Sequence, residues 1–597
     1  MKRLTAWILA LTLTLSLLPV GVLAEGEKAI PAAHSHSAAQ HDCEHCDETI
    51  TWTAWDKTDS LPKTTGHYYL TADVSPTAQT KFTGTNDVTI CLNGYTISGE
   101  KFGATILYVQ DSAKLTITDC TAYTDADGVF HAGSIKNGKG YGATSGAIYA
   151  KGSSAIAVYN CIITNNQLIK NDKSGAGYGG AVQLRGDVEG KPSSLYMENV
   201  LFENNQSGQS AGALCVFGTK SVPAVTVKNC TFKNNTALTG GAVYTTKTNV
   251  TFEDCTFEGN SAEGGGAIYA DGSTLNMKNC LVKENTSTKD GGGNVRVKTT
   301  TAVLENCTIE GNIANGSGGS AMYIHGGNSK VTMKDCTVKN NKTTGTTTSS
   351  RGAVYVTNKT DKLTVTGKTI VDDNKVAVDG TAVERNVFTQ NAGNAIDVGG
   401  LSNGANVGIY PNWDAATVDF ATAATAPSKW SSAWVLCDRN GMAVDYNETD
   451  KFHYVENLIH EHCICGVTGC ADTSHQKVVF EPWTGDTALP TEGAYYLTED
   501  VNLNGAAELS KDLKLCLNGH TVTQTKADNR VIGVTAGKVI ITGCKGGTIT
   551  GGKAAGGAGV QATGADTKVE LHNITSPATS LLPLLAVSML WPVRRLL

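Results

Sequence analysis

Six cysteines and one valine set the frame of this chain. Aligned on Cys161, Val200, Cys230, Cys255, Cys280, Cys307 and Cys336, the residue five places on is asparagine in all seven copies: Asn166, Asn205, Asn235, Asn260, Asn285, Asn312 and Asn341. The residue two places on is apolar: Ile163, Phe202, Phe232, Phe257, Val282, Ile309 and Val338. Two further apolar positions lie five and three places before, as in Val225/Val227 and Val250/Phe252. The copies stand 25 to 39 residues apart. A period in this range marks stacked supersecondary units, none of which can bury its own apolar face alone.

Alternation at period two within each run requires strands. The parity slips by one between the two runs, so the chain turns a corner at the Lys-Asn, Glu-Asp or Lys-Asp dipeptide before each cysteine. After the asparagine come a glycine cluster and a third short strand, as in Gly240-Gly241-Ala242-Val243-Tyr244, Gly265-Gly266-Ala267-Ile268-Tyr269 and Gly352-Ala353-Val354-Tyr355. Three short strands and three corners describe one coil of a right-handed parallel β-helix, an all-β solenoid with coils about 4.8 Å apart. A leucine-rich repeat is excluded, because no Leu-x-x-Leu-x-Leu frame or helical segment accompanies the strands.

Composition agrees. At 597 residues the chain exceeds one compact core, and only 17% of it is charged, below the usual quarter. The net charge of −7 and the scarcity of arginine leave nothing to neutralise phosphates, so nucleic acid is not an expected partner. The cysteine column reads as small buried hydrophobes, since valine replaces cysteine at position 200. The asparagine column reads as a ladder of side-chain amides bonding the backbone of neighbouring coils. Both columns therefore build the scaffold.

Phe232-Lys-Asn-Asn235 followed by Gly240-Gly241-Ala242-Val243, and Phe257-Glu-Gly-Asn260 followed by Gly265-Gly266-Ala267-Ile268, resemble the paired FxxN and GGA[ILV] repeats of polymorphic membrane proteins. More broadly the chain resembles right-handed β-helix repeat proteins of bacterial surfaces. The resemblance implies an adhesin or surface protein, extracellular or at the outer membrane, whose partner is a host or cell-surface glycan or protein. The β-barrel transporter that ends some members of the family has no counterpart in this sequence.

The first 24 residues read as an export signal: Lys2 and Arg3, an apolar run from Leu4 to Leu18, and small residues at Val22 and Ala24. No later segment is apolar for long enough to cross a membrane as a helix. The 17 cysteines then work outside the cytoplasm, and an odd number leaves at least one unpaired within the chain.

Residues 61–120 recur at 489–544. Gly66-His-Tyr-Tyr-Leu matches Gly493-Ala-Tyr-Tyr-Leu, Cys91-Leu-Asn-Gly matches Cys516-Leu-Asn-Gly, and Cys120 matches Cys544. A His/Cys cluster precedes each copy. His41, Cys43, His45 and Cys46 offer one set of ligands for a structural zinc ion; Cys463, Cys465, Cys470 and His475 offer another, with His460 and His462 beside them. A local disulfide is the alternative in an oxidising compartment. No other cofactor is expected.

The expected layout is a signal peptide (1–24), a His/Cys-rich segment (25–60), a β-helix (61–400), its end with a linker (401–459), a His/Cys module (460–476), the start of a second β-helix (477–574) and an atypical tail (575–597). No catalytic constellation stands out. Asp125/Asp127 before Gly128 is a fragment of a calcium loop and reads as a turn. Asp372-Asp373 is placed at the ladder position, and Arg185-Gly186-Asp187, an integrin-type tripeptide, in a loop. The sequence thus points to a non-catalytic adhesin or ligand-binding scaffold. A polysaccharide lyase or glycoside hydrolase on the same fold is the alternative, since fold alone does not decide function.

Overall fold

The computed structural model describes residues 51–575 except 170–177, 290–291, 317, 346–350, 379–380, 391–394, 412–433, 439–441, 448–450, 457–459, 466–476, 527–528, 554–558 and 565–566. The chain divides into two compact units at Val455/Glu456. Among the described residues all regular structure is β, and no helix is long and apolar enough to cross a membrane.

One coil of the first unit shows how the pattern folds. The strand Ala224–Lys228 buries Val225 and Val227. The chain then bends at Asn229, whose φ is 45°, and Cys230 turns inward. Thr231–Lys233 follows and buries Phe232, before a second bend at Asn234 with φ of 54° delivers Asn235 into the interior. Asparagine and aspartate tolerate the left-handed region better than other L-residues, which explains why they fill these corners. Val243–Thr246 closes the coil. Every strand then pairs in parallel with its counterpart one coil on: Val227 with Phe252, Phe232 with Phe257, Val243 with Ile268. Thirty-four such strands form one hydrogen-bonded system, a right-handed parallel β-helix with a single continuous core from Leu61 to Val435. Phe202, Phe232 and Phe257 stack along that core with centroids 4.9 Å apart, the spacing of the coils.

The coil has a fourth strand that the sequence pattern did not reveal. Ser261–Ala262, Thr286–Ser287, Ile313–Ala314 and Lys342–Thr343 pair in parallel just after the buried asparagines. Two residues carry no period-two signal, so only the register of the neighbouring coils defines them. The stack also begins before residue 61, because Thr53–Trp55 pairs with Gly66–Leu70. At its other end it runs past residue 400, where Asn406–Pro411 pairs with Val435–Cys437.

The second unit has its own core. Lys477–Trp483, Gly493–Leu497, Leu513–Cys516, Lys538–Thr542 and Lys568–His572 stack in parallel, and two three-stranded sheets form its other faces. The duplication extends to individual hydrogen bonds. Trp55 and Trp483 each donate their indole N–H to a carbonyl five residues on, at 2.8 and 2.9 Å. Asn93 and Asn518 each donate to the leucine carbonyl of the preceding coil, at 2.9 and 3.2 Å.

Candidate binding face

The asparagine column is fully buried. Each Oδ1 accepts both the backbone N–H and the Nδ2–H of the asparagine one coil before. Asn235 donates both to Asn260 Oδ1 at 2.9 and 3.0 Å, and Asn260 donates both to Asn285 Oδ1 at 2.9 Å. The second Nδ2 hydrogen goes to a strand carbonyl, Phe232 O for Asn260 at 2.8 Å. The ladder starts at Asn166, accepting from Gly138, and passes through Asn205, Asn235, Asn260, Asn285, Asn312 and Asn341. It continues through Asn374 and Asn386 and ends on Asp438, which accepts the Asn386 N–H at 2.6 Å. The expected placement of Asp372-Asp373 in this column is therefore corrected: Asp373 sits at the corner, with φ of 54°, and Asn374 is the rung. Burial pushes the Asp438 carboxyl up to about 7.

The cysteines of the neighbouring column are buried free thiols. Cys255 donates to Glu253 O and Cys307 to Glu305 O, at 3.2 and 3.3 Å. Burial pushes Cys230 up to about 12, so that thiol stays protonated, and the buried column acts as packing.

Two loop motifs are also placed. Asp125 Oδ1 accepts the N–H groups of Asp127 and Val129 at 3.0 and 2.8 Å, inside the small hairpin Tyr123–Thr124/Phe130–His131. Arg185-Gly186-Asp187, expected in a loop, runs instead from the end of a strand into the residue after it. Arg185 and Gly186 belong to the strand Val182–Gly186, paired with Phe217 and Gly218, and Asp187 accepts the Gly152 N–H at 2.8 Å.

Of the expected zinc ligands, His41, Cys43, His45, Cys46, Cys470 and His475 lie outside the described residues. Cys463 and Cys465 lie on and just after the strand His460–Cys463, with sulfurs 2.9 Å apart.

The most distinctive outward feature lies on the strands that close each coil. Tyr244, Tyr269, Arg296, Tyr323, Tyr355, Phe388 and Tyr410 occupy one register column on successive coils. Tyr244 and Tyr269 meet edge-on at 5.3 Å, and Tyr323 stacks on Tyr355 at 5.1 Å. The Arg296 guanidinium lies between two rings, 4.7 Å from Tyr269 and 5.3 Å from Tyr323. Arg351 covers Tyr355 at 4.8 Å and Arg385 covers Tyr410 at 4.2 Å. Tyr269, Tyr355 and Phe388 are buried by these neighbours, while Tyr244, Arg296, Tyr323, Arg351 and Tyr410 are half-exposed. The glycine cluster makes room for the column. A Cβ on Gly293, at φ of 111°, would lie 2.6 Å from Tyr323 Cβ.

A second outward position places Asp271, Lys298 and His325 side by side. Lys298 Nζ lies 3.1 Å from Asp271 Oδ2, and that bond holds the ammonium above its ordinary value. Arg296 Nε donates to His325 Nε2 at 3.0 Å, and burial, helped by Arg296 and Lys298, pushes this imidazole down to about 3. The group is rich in stacking surface and donors, but its lysine is held protonated and its histidine is a weak base. Elsewhere a polar groove of about 480 Å³ is lined by Glu100, Lys139 and the amides Asn137, Asn165, Gln167, Asn204 and Gln206.

Sequence reading identified Tyr244, Tyr269 and Tyr355 as strand residues but did not see the column. The available signal was outward parity: each follows the inward Val or Ile of the GGA[IV] segment.

The model of a family described as right handed beta helix region matches residues 82–257 and, overlapping them, 194–370. No curated protein and no solved structure matches the chain.

Proposed function

We propose that this β-helix protein is an exported, non-catalytic surface adhesin or ligand-binding scaffold that holds an extended glycan along its aromatic column. The observation that carries the reading is the register of Tyr244, Tyr269, Arg296, Tyr323, Tyr355, Phe388 and Tyr410. Rings and guanidinium groups repeated at one coil spacing offer a polymer the same contact many times, so weak contacts add along its length. The half-exposed edges present phenol hydroxyls and N–H donors, the complement of a surface rich in hydroxyl or carboxylate oxygens. The resemblance of the FxxN and GGA[ILV] segments to bacterial surface repeats, and the export signal expected at residues 1–24, agree with this location.

The runner-up is a carbohydrate-active enzyme, favoured by the grouping of Asp271, Arg296, Lys298 and His325 on adjacent coils. Glycoside hydrolysis needs two carboxyl groups and lyase chemistry a base poised near the working pH. Here the one carboxylate is paired to Lys298 and neither nitrogen base is tuned toward neutrality, which supports binding over proton transfer. A glycan-array screen run beside a polysaccharide-degradation assay separates the two. Retention of a glycan without chain shortening supports the scaffold, and release of shortened products overturns it.

A further inference from the structure

We propose that His462, Cys516 and Cys544 form a zinc site that clamps the strand His460–Cys463 onto the first coils of the second β-helix. The three come from separate parts of the sequence, yet their ligating atoms lie within 4.8 Å of one another. Cys516 ends the strand Leu513–Cys516, and Cys544 follows the strand Lys538–Thr542 one coil on; their sulfurs are 3.4 Å apart. Cys516 is fully buried and His462 nearly so.

The imidazole is oriented for this role. Its Nδ1 lies 2.7 Å from the Cys463 carbonyl, and its ring stacks on Phe480 at 4.5 Å. A backbone carbonyl on Nδ1 fixes the Nδ1–H tautomer and assigns the ring's lone pair to Nε2, the usual arrangement around a metal-bound histidine. Two thiolates and an imidazole are the donors that tetrahedral zinc prefers. Binding moves the two thiol protons to solvent and changes no oxidation state. Because those protons must leave, affinity should weaken as pH falls.

The first unit supplies the contrast. Its equivalent sulfurs, Cys91 and Cys120, lie 3.2 Å apart, and the third group there is Asp119. That carboxylate is consumed by the corner. It accepts the Gly94 and Thr121 N–H groups at 3.0 and 2.7 Å, the Thr121 hydroxyl at 2.7 Å and the Gly133 N–H. Gly543 stands at that place in the second copy, where a histidine converges instead. A disulfide uses two sulfurs and gives this imidazole no role, so the histidine separates the two readings.

The test uses the full chain, purified with reductant, loaded with zinc and passed over a desalting column. Metal is read by mass spectrometry, and cobalt replaces zinc for thiolate-to-metal charge-transfer absorption. The wild type should retain zinc, and both His462→Gln and Cys544→Ser should lose one equivalent and dim the cobalt bands while keeping the β signal in circular dichroism. Cys91→Ser should keep that equivalent. The proposal is overturned if the wild type retains no metal, if either second-unit variant keeps the full content, or if Cys516 and Cys544 are found disulfide-bonded in protein isolated without reductant. Because His462→Gln leaves both buried sulfurs in place, it decides the question even if Cys544→Ser fails to fold.

Discussion

Replacing Asn260 by leucine probes the interior ladder where it is most regular. The side chain is fully buried, and its Oδ1 accepts two hydrogens of Asn235 while its Nδ2 supplies Phe232 O and Asn285 Oδ1. Leucine fills a similar space and satisfies none of these groups. The Asn235 backbone N–H and one Nδ2–H would be left buried without an acceptor, at about 1–3 kcal/mol each, so a loss of about 2–6 kcal/mol is expected. The control is Asn279→Gly at an outer corner. Glycine keeps the φ of 53° there and removes only exposed contacts to Asp254 and Asn306, so its cost should be about 0.5 kcal/mol. Urea unfolding of the full chain, followed by circular dichroism and by proteolysis of the first unit, measures both. Similar midpoints for the two variants would refute the reasoning, because the interior asparagines would then carry no more than surface ones.

Three further outcomes follow from the same geometry. Asp438→Asn should stabilise the end of the first unit above pH 7. The folded pKa of about 7 lies above the ordinary 3.8, so the carboxyl's contribution is complete below pH 3.8 and lost as pH rises through 7, whereas an amide would repeat the preceding rung. Hydrogen exchange at Asn386 across pH 5–9 reads the difference, and parallel profiles in the two proteins would contradict it. His325 is shifted the other way, from 6.5 to about 3, so its contribution is present above pH 6.5 and lost as pH falls from there toward 3. Thermal unfolding of His325→Gln should show a shallower acid slope than wild type over that window, and an identical slope would count against a buried neutral imidazole. Finally, Cys280→Val should cost less than about 1.5 kcal/mol in urea titration, since valine already fills the equivalent position at 200; a larger loss would mean the thiols do more than pack.

The coil was legible because its apolar columns recur at fixed offsets from Cys161 to Cys336, and burial enforces those offsets directly. The ladder was followed only as far as a cysteine or valine marked the frame. At the next coil Thr369 takes the cysteine's place, its Oγ1 accepting the Cys336 N–H at 3.1 Å, and Asn374 stands five residues on as before. The rung after that, Asn386, arrives from the antiparallel hairpin Lys375–Val378/Thr381–Glu384, which no repeat spacing foretells. The aromatic column was hidden for a different reason. Arg296 and Phe388 interrupt the tyrosines, and the strip is defined by what faces outward, where selection for packing is weakest. His462 was grouped with its sequence neighbours Cys463 and Cys465, whereas folding brings it to cysteines at the third and fourth strands beyond its own in the sheet.

The proposal of a glycan held along the aromatic column is tested most directly by titrating oligosaccharides of increasing length, taken from the strongest array hit, into wild-type protein and into Arg296→Ala and Tyr323→Ala. Binding along successive coils predicts affinity that rises with chain length in the wild type. Each substitution should weaken the longest ligand by about tenfold, or about 1.4 kcal/mol, with the fold intact by circular dichroism. Affinity independent of length, or full affinity retained in both variants, would contradict a ligand held along the column.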